Sequence, residues 1–253
     1  MTNPVALHLE FAGVTDVGKV RARNEDSFDI RREARLALVC DGMGGHAGGD
    51  IASRTAVAAI VEFVSSAGAV GPGQSVATIR DAVASANQRL VSLNQQRGFP
   101  EGRGMGTTVV GLWLPAIGGS DMAVIFHAGD SRLYRLRAGV LRQLTRDHSL
   151  YQLWLDGGGQ GQAPHRNIIV RALGTMTDVE PEVAVQPVLA GDLFLLCSDG
   201  LTSMADDDEI TAILRQTDDL EVATRSLVDL ANGKGGHDNV TVVLVRGVSA
   251  KGR

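Results

Sequence analysis

The stretch "LALVCDGMGGHAGGDIAS" runs from Leu36 to Ser53. An apolar run ends on Asp41, glycines follow at 42, 44, 45, 48 and 49, and a helical pattern then begins. "LALVC" reads as a buried strand. An acid at a strand end is ordinarily a turn residue or a helix cap. Here glycine removes the side chains that would shield it, and lets a backbone carbonyl approach whatever the acid faces. The rest of the chain decides between those two uses.

Working outward, "ALHLEFAGVTD" and "RLALVCD" read as strands, and "DIASRTAVAAIVEFVSS" and "QSVATIRDAVASANQRLVSLNQQ" carry helical spacing. "GTTVVGLWL" and "DMAVIFHAG" are strands, and "RLYRLRAGVLRQL" is a hairpin turning near Ala138-Gly139. "DHSLYQLWLD" predicts a short helix opened by an acid, and "GGGQGQAPHR" a flexible loop. "EVAVQPV", "DLFLLCSDG" and "NVTVVLVRG" are strands; "DDDEITAILRQT" and "DLEVATRSLVDLAN" are helices with acids in the first turn, where the helix dipole favours them. Strands come in antiparallel-looking neighbours and helices in two pairs. That pattern predicts an α+β fold of two packed sheets with a helix pair on each outer face, and residues 1–253 as a single domain.

The 253 residues are 44% hydrophobic and 21% charged, the balance of an ordinary globular protein. A net charge of −5 argues against nucleic acid or an anionic membrane as partner. No run approaches the ~18 apolar residues of a bilayer span, so a cytoplasmic protein is expected. Cys40 and Cys197 both end apolar runs and read as buried thiols rather than a disulfide framework.

Asp41 has company. Apolar runs also end at Asp130 in "IFHAGD" and Asp199 in "LLCSD", Asp238 stands in "GGHDN" before the last strand, and "RNED" supplies Glu25 and Asp26. Each is a turn acid when taken singly. Two packed sheets can gather one set of strand ends, and carboxylates so gathered repel one another unless a cation lies between them. Oxygen-only ligands suit a hard ion such as Mg²⁺ or Mn²⁺.

Rival readings of the glycines fail on their own chemistry. "GMGGHA" fits G-x-G-x-x-A, but Asp41 would aim negative charge at a pyrophosphate, and Glu62, the acid twenty-one residues on, falls within a helical pattern. No P-loop is present. A C-x5-R thiol phosphatase would need arginine where His46 and Ser203 stand. "DDDEI" at 206–210 is an acidic helix start.

Taken together, "TDVGKVRARNEDSF", "VCDGMGGHAGGDIAS", "GMGTTVV", "HAGDSRLYRLRAG", "LTRDHSL", "IIVRALGT", "LLCSDGLTSM" and "GGHDNVTVVLV" resemble the metal-dependent PP2C (PPM) serine/threonine phosphatases in their stand-alone bacterial form. The resemblance runs from about residue 10 to residue 246 with the motifs in family order. It implies a four-layer αββα sandwich and two Mn²⁺ or Mg²⁺ ions, with a weaker third. By position, it implies Asp41 as the bridging carboxylate and the Gly42 carbonyl as a ligand of the first ion. Asp199 and Asp238 become ligands of the second, Glu25 a ligand through water, and Asp130 a ligand of the third ion shared with Asp199. Arg21 becomes the phosphate grip, with Arg23 a surface neighbour. The two ions would hold a water, lower its pKa and direct it at phosphorus.

The same resemblance implies phosphorylated Ser/Thr proteins as substrates, a bacterial Ser/Thr kinase as the opposing partner, and a monomer. A silent, phosphoprotein-binding member is the alternative, and retention of Arg21, Asp41, Asp199 and Asp238 speaks against it. Animal members carry a "DGH" run, whereas Met43, Gly44 and Gly45 separate Gly42 from His46 here. Ser203 stands where relatives often carry Asp or Asn. The family's flap falls on segment 147–175, whose three consecutive glycines predict mobility.

Overall fold

A computed structural model of the chain describes residues 7–44, 48–68, 70–71, 73–115 and 121–249. One antiparallel sheet has the order β1 (Leu7–Asp16), β11 (Val240–Ser249), β10 (Leu193–Cys197), β7 (Arg132–Arg137) and β8 (Val140–Gln143). The other runs β2 (Asp26–Arg31), β3 (Leu36–Met43), β5 (Val109–Trp113), β6 (Met122–Ala128) and β9 (Glu182–Pro187), with β4 (Gly106–Thr107) pairing the end of β3. Helices α1 (Gly49–Ser66) and α2 (Ser75–Gln96) cover the second sheet, while α5 (Asp207–Gln216) and α6 (Leu220–Gly233) cover the first. The αββα sandwich expected from the sequence is the observed architecture.

Three apolar seams hold the layers together. Leu38, Ile60, Val83 and Phe126 fill the space under α1 and α2. Val39, Val110, Ile125, Phe194 and Val243 pack between the sheets. Leu195, Leu227 and Val242 pack under α5 and α6. Inner strands are apolar on both faces because both faces are covered, so "VVGLW" and "LFLLC" are buried throughout rather than alternating. Complete burial of one such Val, Leu or Phe contributes about 1.5–3 kcal/mol. The β7–β8 hairpin turns on Ala138 and Gly139, both at positive φ (48° and 77°), the two-residue geometry that matches strand twist.

Three local expectations are corrected. "DSFDIR" is a strand, β2, between "ALHLEFAGVTD" and "RLALVCD", where none was expected; its half-buried, mixed-polarity residues give no clean alternation. Strand β3 continues through Asp41 to Met43, so Asp41 lies within the ladder rather than at its end. Helix α3 (Leu150–Asp156) is capped not by an acid but by Ser149, whose hydroxyl accepts from the Gln152 N–H. The acidic starts of α5 and α6 are as expected: Asp206 and Glu209 form a reciprocal capping box, and Asp219 caps α6.

Candidate metal centre

Register brings the acids to one end of the sandwich. Asp41 stands opposite Asp26 across β3 and β2. Asp130 follows β6, Asp199 follows β10 at the start of the short helix α4 (Asp199–Thr202), and Asp238 precedes β11. The two sheets are stitched beside them: Ser198 Oγ donates to Asp26 Oδ2 at 2.7 Å, and Glu25 N–H to Asn239 Oδ1 at 2.8 Å. The backbone of Asp41 is fixed on both sides. Its N–H donates to Thr108 Oγ1 at 2.9 Å, and its carbonyl accepts from Thr107 Oγ1 at 2.8 Å and Thr108 N–H at 2.9 Å.

Gly42 is required by packing. A Cβ there would lie 2.1 Å from Gly49 O and 2.5 Å from Glu25 O. The strand end, the Glu25 loop and the start of α1 can therefore meet only if this residue has no side chain.

The electrostatics are those of crowded negative charge. Burial raises the Asp41 carboxyl well above the usual range, and Asp26, Asp199, Asp130 and Asp238 raise it further. Asp130 is pushed up to about 7 by burial, then by Asp199 and Asp147. Burial and Asp238 raise Asp199, against a hydrogen bond with Asp41. Burial and Asp50 raise Glu25. Asp130 Oδ1, Asp199 Oδ1 and Asp26 Oδ1 are buried without a hydrogen-bond partner. Buried carboxylate oxygens without donors, repelling one another, fit divalent cations and fit little else.

Asp26 is the residue the sequence reading left without a role. Its Oδ2 accepts from Ser198 Oγ and Thr241 Oγ1, both at 2.7 Å, and its Oδ1 is free beside Asp41. Burial pushes it up to about 7 despite those two donors. The signal was its place in "NED", one residue after Glu25.

Arg21 reaches the same site, its Nη2 donating to Asp238 Oδ2 at 2.6 Å. Arg23 is exposed, and its carbonyl accepts from Asn239 Nδ2. Ser203 closes α4, its N–H donating to Asp199 O at 2.8 Å. His46 lies outside the described residues. A separate group, His127, His148 and Glu182, has its ligand-type atoms within 4.8 Å of one another behind the Asp130 loop.

A sandwich of this topology with carboxylates converging at one end defines a metal-dependent phosphoester hydrolase. The Protein phosphatase 2C family matches residues 19–230. The serine/threonine phosphatase stp of Listeria monocytogenes is 37% identical over 257 residues, covering 98% of this chain and 99% of its own. PppA of Pseudomonas aeruginosa, described as a key regulatory component of T6SS, superposes with a TM-score of 0.85 at 40% identity, over 96% of this chain and 99% of its own. The catalytic domain of the serine/threonine protein phosphatase PstP, in complex with two manganese ions, gives 0.84 at 36% identity, over 96% and 100%. The chain belongs to the protein phosphatase 2C family and is a metal-dependent phosphoprotein phosphatase.

Proposed function

We propose that the protein removes phosphate from phosphoserine and phosphothreonine in proteins, opposing a bacterial Ser/Thr kinase in the cytoplasm. The observation that carries this is the set of buried, partnerless carboxylate oxygens on Asp26, Asp130 and Asp199 around Asp41. Asp41, the Gly42 carbonyl, Asp199 and Asp238 would hold two Mn²⁺ or Mg²⁺ ions, with Glu25 acting through water and Asp130 toward a third. When bound, the cations supply a water of lowered pKa and neutralise charge on the phosphoryl group.

The chain's own residues do the rest. The Arg21 guanidinium matches two phosphate oxygens and orients the ester in line. Asp26 accepts a hydrogen bond through Oδ1 and holds the attacking water in register with Asp41. The whole chain acts as one phosphatase domain, with segment 147–175 as its flap. The test is hydrolysis of a phosphothreonine peptide by purified protein in Mn²⁺. EDTA should abolish turnover, and vanadate should have little effect. Undiminished activity in excess EDTA would overturn the reading.

A further inference from the structure

We propose that His148 is a positioning residue that couples segment 147–175 to the Asp130 loop, because Gly129 and Arg171 compete for the one lone pair of its imidazole. The proposal rests on the reading of Asp130 as a metal ligand for its catalytic consequence, though not for the coupling itself.

His148 grips the residue before Asp130 twice. Its Nδ1 accepts from Gly129 N–H at 3.2 Å, and its backbone N–H donates to Gly129 O at 2.9 Å. Gly129 sits at φ 118°, and a Cβ there would lie 2.6 Å from Thr108 Cβ, so the loop has little room to move toward that side. The other ring nitrogen faces two groups of opposite kind. Arg171 Nη1 lies 3.2 Å from Nε2, and Glu182 Oε2 lies 3.5 Å from it. Arg171 is kept there by the segment's own backbone: Val170 N–H donates to His148 O at 2.8 Å, and Leu150 N–H to Ile168 O at 2.9 Å. The His127 ring stacks on His148 at 4.5 Å and 6°, which fixes its plane.

Burial, His127 and Arg171 push His148 down to about 4, so the ring is neutral at pH 7. A neutral imidazole has one donor and one acceptor. With the proton on Nε2, the ring donates to Glu182 and accepts from Gly129, and Arg171 then faces an N–H. With the proton on Nδ1, Arg171 donates to Nε2, and Gly129 N–H loses its acceptor. Both donors cannot be satisfied at once. Approach of Arg171 therefore loosens the Asp130 loop, and its withdrawal tightens it.

A metal held by His127, His148 and Glu182 is the other reading of this group. An ion lies in the plane of each imidazole that ligates it, and two nearly parallel stacked planes share no such point. Whenever Nδ1 of His148 accepts from Gly129 N–H, the proton is on Nε2 and that nitrogen has no lone pair for an ion.

The test uses the whole, metal-free protein, with imidazole ¹⁵N shifts to read the tautomer and amide exchange to read Gly129. Arg171→Met should move the His148 proton fully onto Nε2 and slow Gly129 exchange about fivefold, the effect of one hydrogen bond. His148→Gln should speed that exchange by about as much. His148→Asn, whose Oδ1 can sit where Nδ1 sits, should restore protection. Unchanged tautomer and exchange in Arg171→Met would overturn the proposal, as would equal exchange in the Gln and Asn variants. In Mn²⁺, His148→Gln should need more free ion for half-maximal turnover while its KM holds. If the Gly129 amide responds and the Mn²⁺ curve does not, the coupling stands and the reading of Asp130 fails.

Discussion

Arg21 and Asp238 share a hydrogen-bonded ion pair of 2.6 Å, so the proposed phosphate grip and a proposed metal ligand are partners in the metal-free chain. The arginine side chain is 53% exposed, so the pair itself stabilises the fold little. Phosphate and metal would divide it: the cation takes Asp238, and the guanidinium turns to substrate. Arg21→Ala should therefore raise KM for a phosphopeptide about tenfold or more, as expected for a charge-assisted bond of about 1.5–3 kcal/mol. Melting temperature should hold within about 2 °C, and Mn²⁺ affinity should not fall. Arg23→Ala should change neither constant. A normal KM with a depressed melting temperature would make Arg21 a structural residue only.

The carboxylates give the metal-free protein a pH dependence of defined sign. Asp26 and Asp130 are each raised to about 7, chiefly by burial, from the ordinary aspartate value of 3.8. Between those values the folded state holds protons that the unfolded chain has released. Their contribution is thus fully present at low pH and is lost as pH rises through about 7. In EDTA, melting temperature should fall between pH 5 and pH 7.5, and Mn²⁺ at pH 7.5 should restore it. Asp26→Asn, which deletes one charge and keeps the shape, should flatten the EDTA curve. His127 and His148 are lowered and oppose the trend below about 6.5, so the comparison with Asp26→Asn isolates the acids. An EDTA curve that rises over this range in both proteins would refute the charge-crowding account.

Gly42 offers a packing test. The added methyl of Gly42→Ala would meet two backbone carbonyl oxygens, neither of which can swing aside as a side chain could. Overpacking of this kind costs about 1–3 kcal/mol, and the strand would move away from Glu25 and α1. Metal binding and stability should fall together, measured by calorimetry and thermal melting. Gly233→Ala, at the end of α6 with open space around it, should be neutral or stabilising by up to about 1 kcal/mol. Tight Mn²⁺ binding by Gly42→Ala at full stability would show that this close approach does not matter.

The sandwich was readable from the sequence because its signals are local. Periodicity marks α1, α2, α5 and α6, and continuous apolar runs mark β5, β10 and β11. The acids could be picked out because glycine stands beside Asp41, Asp130 and Asp199. Asp26 was counted among the acids, but its role escaped because it is non-local: Ser198 and Thr241, which bind its Oδ2, lie 172 and 215 residues away. The contact of His148 with Gly129 escaped for the same reason, since no spacing relates "DHS" to "AGD". Strand β2 was missed because it is mixed in polarity and only half-buried.

Asp130 tests the site most sharply, because a structural acid and a ligand respond oppositely to removal. A structural turn acid would hold N–H donors through its carboxylate, and Asp130→Ala would lower the melting temperature while leaving turnover intact. The observed carboxyl is 7% exposed, its Oδ1 has no partner, and burial and Asp199 raise it to about 7. Removing a group so placed relieves burial and repulsion that outweigh what it loses, one hydrogen bond from its own backbone N–H and the attraction of Arg132. The metal-free melting temperature of Asp130→Ala at pH 7.5 should therefore equal or exceed that of the wild type. Two ions should still bind tightly, because Asp41, Gly42, Asp199 and Asp238 are untouched. Turnover should fall at least about tenfold, equivalent to about 1.4 kcal/mol of barrier. The wild type should need far more Mn²⁺ for activity than for its tightest binding, and the variant should lose that second phase. Calorimetric metal counts beside kcat against free Mn²⁺ settle the matter, and a variant with wild-type turnover and an unchanged titration would return Asp130 to a purely structural role.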